Sequence, residues 1–243
     1  MNHMKTLTLL LVLFSAASFG QPKFQIEDVY GDFIPLSPIP YDGTLKIYDS
    51  AGKKIQDLLA LEMDQNQLKA VFPDLSIESY LSKVNSEGKI EYSPVSISAS
   101  KEDYSVVYDI AKFTTVLLTE PGKDCKIYGK VGVGIRIRAD IKTRKKNVNV
   151  ANLAGLGVSA SNNKLKGGIS FQIFGLEGKD IINLTPSSLT IDINSVNLAL
   201  QAAATIKSRI YGEGVNLTPR IFAIRKDGCD AKEATSQILQ MIY

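Results

Sequence analysis

The sequence contains almost no histidine, no tryptophan and little cysteine, and these shortages narrow its function. Its one histidine is His3, in the first twenty of 243 residues. Histidine is the commonest general base and the commonest metal ligand. We therefore predict no catalytic residue, no metal site and no cofactor, and we expect a protein that is not an enzyme.

Long hydrophobic runs are also scarce. The longest mainly apolar stretch, residues 7–14 with Thr8 as its one polar residue, follows Lys5 and precedes small residues that end at Gly20. This order is typical of a secretory signal peptide, and the stretch is too short to span a bilayer. We predict a signal peptide over residues 1–20 and a mature chain, 21–243, that is exported to the periplasm or the extracellular space without a transmembrane helix.

The excess of positive charge is small. The formal net charge is +3, and removal of Lys5 with the leader lowers it to +2. So weak an excess does not favour nucleic acid as a partner, and any anion site must be local. Glycines 129, 132 and 134 lie in an alternating pattern and not in a loop that opens a helix, so they do not form a nucleotide-binding motif.

Two cysteines, Cys125 and Cys229, fall in the exported part. An even pair in an oxidising compartment favours a disulfide, while two sulfurs without histidine are a poor zinc ligand set. Because each cysteine borders a predicted strand, antiparallel neighbouring strands would bring the pair together. We predict a Cys125–Cys229 bridge.

The clearest secondary-structure signal is a strand over residues 126–143. Alternate positions are apolar there, so one face of the strand is predicted to cover a core. Further strands are predicted over residues 44–48, 89–98, 169–173 and 217–224, and a proline-rich irregular or edge segment over 24–40.

Helical spacing is present in four places. It is clearest over residues 195–211, after the cap candidate Asn194, and it recurs from Asp230 onwards. We also predict helical structure between residues 55 and 84, most clearly at 77–84, and another helix over 100–118, although that last segment alternates as a strand does.

These elements predict an α+β fold, mainly antiparallel β-sheet, with one face covered by two or more helices. The two covering helices would be the one at residues 195–211 and the C-terminal one. We predict a single exported domain over 21–243; if the chain is subdivided, the turn near residue 121 is the place.

The polar face of the 126–143 strand is the most suggestive candidate for binding. It continues into a basic turn, and its predicted ligand-binding residues are Arg136, Arg138, Lys142, Arg144 and Lys146. Such a stripe suits an anionic glycan, a lipid headgroup or an envelope protein. The alternative is an ordinary solvated face whose charges guard a sheet edge.

Function is accordingly predicted by class only. The first hypothesis is an exported, non-catalytic binding or cell-envelope protein of unknown ligand. A second is a membrane-active protein that inserts the amphipathic hairpin formed from the 126–143 strand and its successor. A third is a hydrolase that uses carboxylates alone.

Overall fold

The elements are defined for residues 33–48, 53–72, 75–84, 90–92, 103–119, 124–143, 165–186 and 189–228, which are the part of the chain that the computed structural model describes. The strands are β1 (Ile34–Pro40), β2 (Thr44–Tyr48), β3 (Lys54–Leu59), β4 (Leu75–Val84), β5 (Ile90–Tyr92), β6 (Asp103–Leu117), β7 (Lys126–Thr143), β8 (Leu165–Phe174), β9 (Leu176–Glu177), β10 (Leu189–Thr190), β11 (Asn216–Leu217) and β12 (Arg220–Asp227). The helices are α1 (Gln65–Val71), α2 (Lys179–Ile182) and α3 (Ile193–Arg209), with a 3-10 turn at Ala60–Glu62. The predicted signal peptide lies outside these residues, as does the helix predicted from Asp230.

Strand β7 organises the main sheet. One of its edges pairs with β6 over residues 128–142, and the other edge is shared between β12, at residues 126–132, and β8, at residues 134–143. All these pairings are antiparallel, and the eight-stranded sheet runs β1-β12-β7-β6-β4-β5, with β8 beside the second half of β7 and β10 beside β8. Strands β6 and β7, which precede and follow residue 121 in the chain, are therefore neighbours in one sheet.

One face of β7 lies in the core, as its alternation predicts. The odd-numbered side chains of the apolar stripe are all buried, with exposures of 0–1%: Val131, Val133, Ile135, Ile137, Ala139 and Ile141. They share one apolar cluster with the buried side of α3, which lies near β6 and β7. Burial of each such valine or isoleucine stabilises the fold by about 1.5–3 kcal/mol.

The N-cap of helix α3 lies two residues before the predicted one. It is Asp192, not Asn194, and the Asp192 carboxylate accepts a hydrogen bond from the Ser195 backbone N–H at 2.9 Å. That bond, together with one from the Ser195 hydroxyl, lowers the pKa of Asp192. The basic residues Lys207 and Arg209 lie in the last turn, where the helix dipole favours them.

The predicted fold class is confirmed in its coarser form. The described residues form a mainly antiparallel sheet with a few helices, so an α+β assignment broadly fits. Of the two helices predicted to cover one face, α3 is in place and the other lies beyond residue 228. Coverage by two or more helices therefore stays a prediction.

Two predicted helical segments are largely strands. Between residues 55 and 84 the structure has helix α1 at Gln65–Val71, but the 77–84 part belongs to β4, and most of the 100–118 segment is β6. Residues 104–111 of β6 are buried on both faces, so apolar side chains occupy odd and even positions alike. A strand buried on both faces can carry apolar residues at odd and even positions, so that helical spacing also fits it.

The start of β7 lies beside the end of β12. Asp227 is opposite Lys126 in the antiparallel ladder, and Cys125, the residue before β7, is buried. This is the strand arrangement that the predicted disulfide requires. Cys229 lies just outside the described residues, and the bridge stays a prediction.

Candidate functional site on the basic face of the sheet

The even-numbered residues of β7 lie on the face opposite the α3-covered core, which we call the basic face. Along β7 it carries Lys130, Gly132, Gly134, Arg136, Arg138, Asp140 and Lys142. The sequence predicts one continuous ligand-binding stripe here. The structure divides the face into three regions with different chemistry.

The middle region is built around a buried ion pair. Arg136 lies opposite Asp109 of β6, and its Nε and Nη2 each donate to an Asp109 carboxylate oxygen at 2.7 Å. Nη2 also donates to the Phe222 carbonyl at 2.9 Å, and Nη1 donates to the Leu36 carbonyl of β1. Both partners are buried. The Arg136 guanidinium is therefore bonded within the fold and does not face solvent as the predicted stripe requires.

Apolar side chains enclose this pair. They form a second, smaller core of Val107, Ala111, Phe174, Phe222 and Ala223. The register between β12 and β7 shifts between Ile221 and Ala223, and such a bulge re-aims the extra residue. Here it is Phe222, whose ring contacts those of Phe113 and Phe174 at centroid distances of 5.6 and 5.0 Å.

Two glycines allow close approach in the same region. A Cβ on Gly132 would lie 2.1 Å from the Lys112 carbonyl oxygen, and one on Gly134 would lie 2.3 Å from that of Ile110. Glycine in a strand commonly marks such an approach of another backbone. The glycines thus serve packing against β6, in agreement with their exclusion as a nucleotide motif.

The basic end of the face is exposed. Arg138 Nε and Asp140 Oδ1 form an ion pair of 2.9 Å whose side chains are 44% and 56% exposed. Farther along, the exposed residues Lys142 and Lys166 lie directly opposite each other in the β7–β8 ladder, and Asp103 lies opposite Lys142 on the β6 side. In register, Lys142 therefore has a lysine on one side and an aspartate on the other.

The local charge is high around this end. Residues 138–166 contain seven lysines and arginines and one acidic residue, a net charge of +6 in a chain whose total is +3. Of the predicted ligand-binding residues, Arg138 and Lys142 lie exposed at this end. Arg144 and Lys146 lie outside the described residues. Lys166 lies with these exposed cations but is not among the residues predicted from the sequence. Its position opposite Lys142 depends on a strand register that the sequence does not reveal.

The other end of the basic face combines cations with aromatic rings. Lys130 is buried, and its Nζ lies 4.7 Å from the Phe33 ring centroid and 4.8 Å from that of Phe113. The Arg225 guanidinium carbon lies 5.3 Å from the Phe33 ring centroid and 4.8 Å from that of Tyr128. Sequence reasoning missed this group, since its members come from β6, β7, β12 and the residue before β1.

Among the residues whose side-chain burial is described, Asp109 is the one buried carboxylate, and a guanidinium holds both of its oxygens. Within the described ranges, no three histidine, cysteine, aspartate or glutamate side chains come close enough together to hold a metal ion. None of the helices described has the length and apolar composition needed to cross a bilayer.

Comparison with known proteins adds no relative. No family model matches the chain, and no curated protein or solved structure is significantly similar to it. The function therefore has to be argued from the basic face itself.

Proposed function

We propose that the protein is an exported, non-catalytic binding protein of the cell envelope or extracellular space, and that it holds a polyanionic ligand at the basic end of the β7–β8 ladder. The observation that carries this proposal is the exposed placement of Lys142 opposite Lys166, within a segment of net charge +6. Arg138 extends the group along β7, and Arg144 and Lys146 follow it in sequence.

The basic end gathers exposed cations from two paired strands. Arg138 and Lys142 of β7 and Lys166 of β8 are all exposed, so a polyanion can approach several of them at once. An anionic glycan or an anionic lipid surface presents phosphate, sulfate or carboxylate groups to such a patch.

The membrane-insertion hypothesis finds no comparable support. The apolar stripe of β7, which a membrane-active hairpin would expose to lipid, is buried in the core instead. The carboxylate-only hydrolase also lacks support, because Asp109 is bonded to Arg136. Both hypotheses remain open to direct test, by vesicle leakage and by substrate screening.

The test is a charge reversal at the basic end. The variant Lys142→Glu/Lys166→Glu should bind an immobilised sulfated glycan, and vesicles rich in anionic lipid, at least about 10-fold more weakly than the unmodified mature protein. The matched control Lys46→Glu/Lys179→Glu changes the net charge equally at exposed positions outside the basic face. It should bind within about twofold of the unmodified protein, because distant surface charges are screened.

The two ligand preparations separate the sources of the anion. Loss on the glycan alone assigns a glycan ligand, and loss on the vesicles alone assigns a lipid headgroup. Equal weakening in the variant and its control would mean that only total charge matters and would overturn the site. Circular dichroism of both variants has to show the same folded sheet.

A further inference from the structure

A second site is indicated at the opposite end of β7, around Arg225. In the β12–β7 ladder Arg225 lies opposite Tyr128, and Phe33 directly precedes Ile34, which pairs with Ile224. The three side chains thus form one row across neighbouring strands. In this row the guanidinium carbon has an aromatic ring on each side, with centroids at 4.8 and 5.3 Å.

The guanidinium groups of Arg225 and Arg136 differ in their hydrogen bonding. Arg225 Nε is buried and has no hydrogen-bond partner. Within the described part of the chain no carboxylate or carbonyl oxygen accepts from this guanidinium, whereas Arg136 donates to four oxygens. Aromatic rings attract a cation through their π faces but offer no conventional acceptor for its N–H groups.

The surroundings carry further positive charge. Lys130 Nζ lies 4.7 Å from the centroid of the same Phe33 ring, so two cations share one aromatic side chain. Asp227, two residues after Arg225, is opposite Lys126 in the ladder, which balances the charge of that row. Arg225 itself is partly exposed, so an anion can approach its guanidinium from solvent.

We infer that Phe33, Arg225 and Tyr128 form an oxyanion-binding site, in which Arg225 receives a phosphate or carboxylate group of a small ligand. The two rings hold the guanidinium in a fixed orientation, so little side-chain freedom is lost when it binds. A guanidinium held in this way offers paired N–H groups in one plane, and phosphate and carboxylate oxygens match that geometry.

This inference is independent of the proposed function at the basic end. Tyr128 and Lys142 are 14 residues apart on the same strand, which corresponds to about 45 Å at full extension. Loss of either site would therefore leave the other in place. The ligand class also differs, because the Arg225 row takes a single oxyanion and the basic end takes an extended array of charges.

The first experiment uses inorganic phosphate and acetate as probes, with chloride at matched ionic strength as the reference. We expect phosphate, acetate or both to raise the Tm of the unmodified mature protein in a dose-dependent way. In Arg225→Gln the apparent Kd for the anion should rise at least about 10-fold, while Arg225→Lys should fall between the two. The matched control is Arg220→Gln, on the same strand and also partly exposed, and it should bind as the unmodified protein does.

A second measurement needs no variant. An arginine-specific dicarbonyl reagent is applied to the unmodified protein with and without phosphate, and the modification of each arginine is followed by mass spectrometry. Phosphate at about twice its apparent Kd should slow modification of Arg225 about threefold and leave Arg220 unchanged. Equal rates at Arg225 with and without anion, or equal anion response of Arg225→Gln and Arg220→Gln, would overturn the site.

Discussion

The middle of the basic face and its exposed end use the same residue types in opposite ways. In the middle, Arg136 and Asp109 are buried, and the arginine is bonded to two carboxylate oxygens and two carbonyls. At the end, Arg138 and Asp140 form a pair of similar length that is about half exposed. Nearly equal distances therefore conceal very different energies, because only the buried pair has lost its water. The middle region is structural, and the end is available to ligands.

Removal of the buried carboxylate should give the largest effect. Asp109→Ala leaves the Arg136 charge buried without its counterion, and we expect a loss of about 3–5 kcal/mol in the free energy of unfolding. Urea denaturation of the mature protein measures this loss. The double variant Asp109→Leu/Arg136→Met should recover much of it, since an apolar pair needs no counterion. If Asp109→Ala unfolds at the same urea concentration as the unmodified protein, the pair does not hold the region together.

The predicted disulfide would cross-link the chain at the end of the basic face that carries Lys130 and Arg225. It would place no constraint on the basic end. Loss of the bridge in Cys125→Ser/Cys229→Ser should lower the free energy of unfolding by about 2–5 kcal/mol. Polyanion binding at Lys142 and Lys166 should change little, because that end lies at the far end of β7. Mass spectrometry without reductant must first find the two cysteines in one cross-linked peptide; two free thiols would refute the bridge.

Replacing a glycine by alanine should destabilise the middle region more than the exposed end, because the two regions differ in the space around the glycine. A methyl group on Gly132 meets the backbone of β6 at 2.1 Å, whereas the nearest heavy atom to one on Gly168, beside the exposed end, is the Leu189 carbonyl oxygen at 3.6 Å. Gly132→Ala should therefore cost about 1–3 kcal/mol, and Gly168→Ala should change stability by less than about 0.5 kcal/mol. Thermal unfolding of the two variants in parallel makes the comparison. Equal losses would show that the middle region has room to relax.

The contrast also shows which parts of the fold can be read from the sequence. The bounds of β7 are predicted correctly because one of its faces is apolar and the other is polar along its length. The same test fails for β6 because both of its faces carry apolar residues over positions 104–111, although β7 is buried on both faces at positions 129–137 as well. Local periodicity reports a chemical difference between the two faces of a strand, and it is uninformative when both faces carry apolar residues.

The candidate site could be predicted only in part for a related reason. Parity alone places Arg136, Arg138 and Lys142 on one side of the strand. Which of them is covered depends on β1 and β12, whose residues Leu36 and Phe222 are far from Arg136 in the chain. Arg225 depends in the same way on pairing between distant strands. Such contacts leave no periodic signal in the sequence.

The exposed ion pair should give the smallest effect and so completes the comparison. Asp140→Asn removes the negative charge that pairs with Arg138. Because the side chains at both positions are exposed to water, we expect a change of less than about 1 kcal/mol in the free energy of unfolding. Polyanion binding should become slightly stronger at low salt, because a negative charge has left the basic end, and this gain should disappear as salt screens the surface. Asp57→Asn, at the exposed Lys54–Asp57 pair, is the matched control, with equal loss of charge away from the face. If both variants strengthen binding equally, total charge and not the basic end governs affinity.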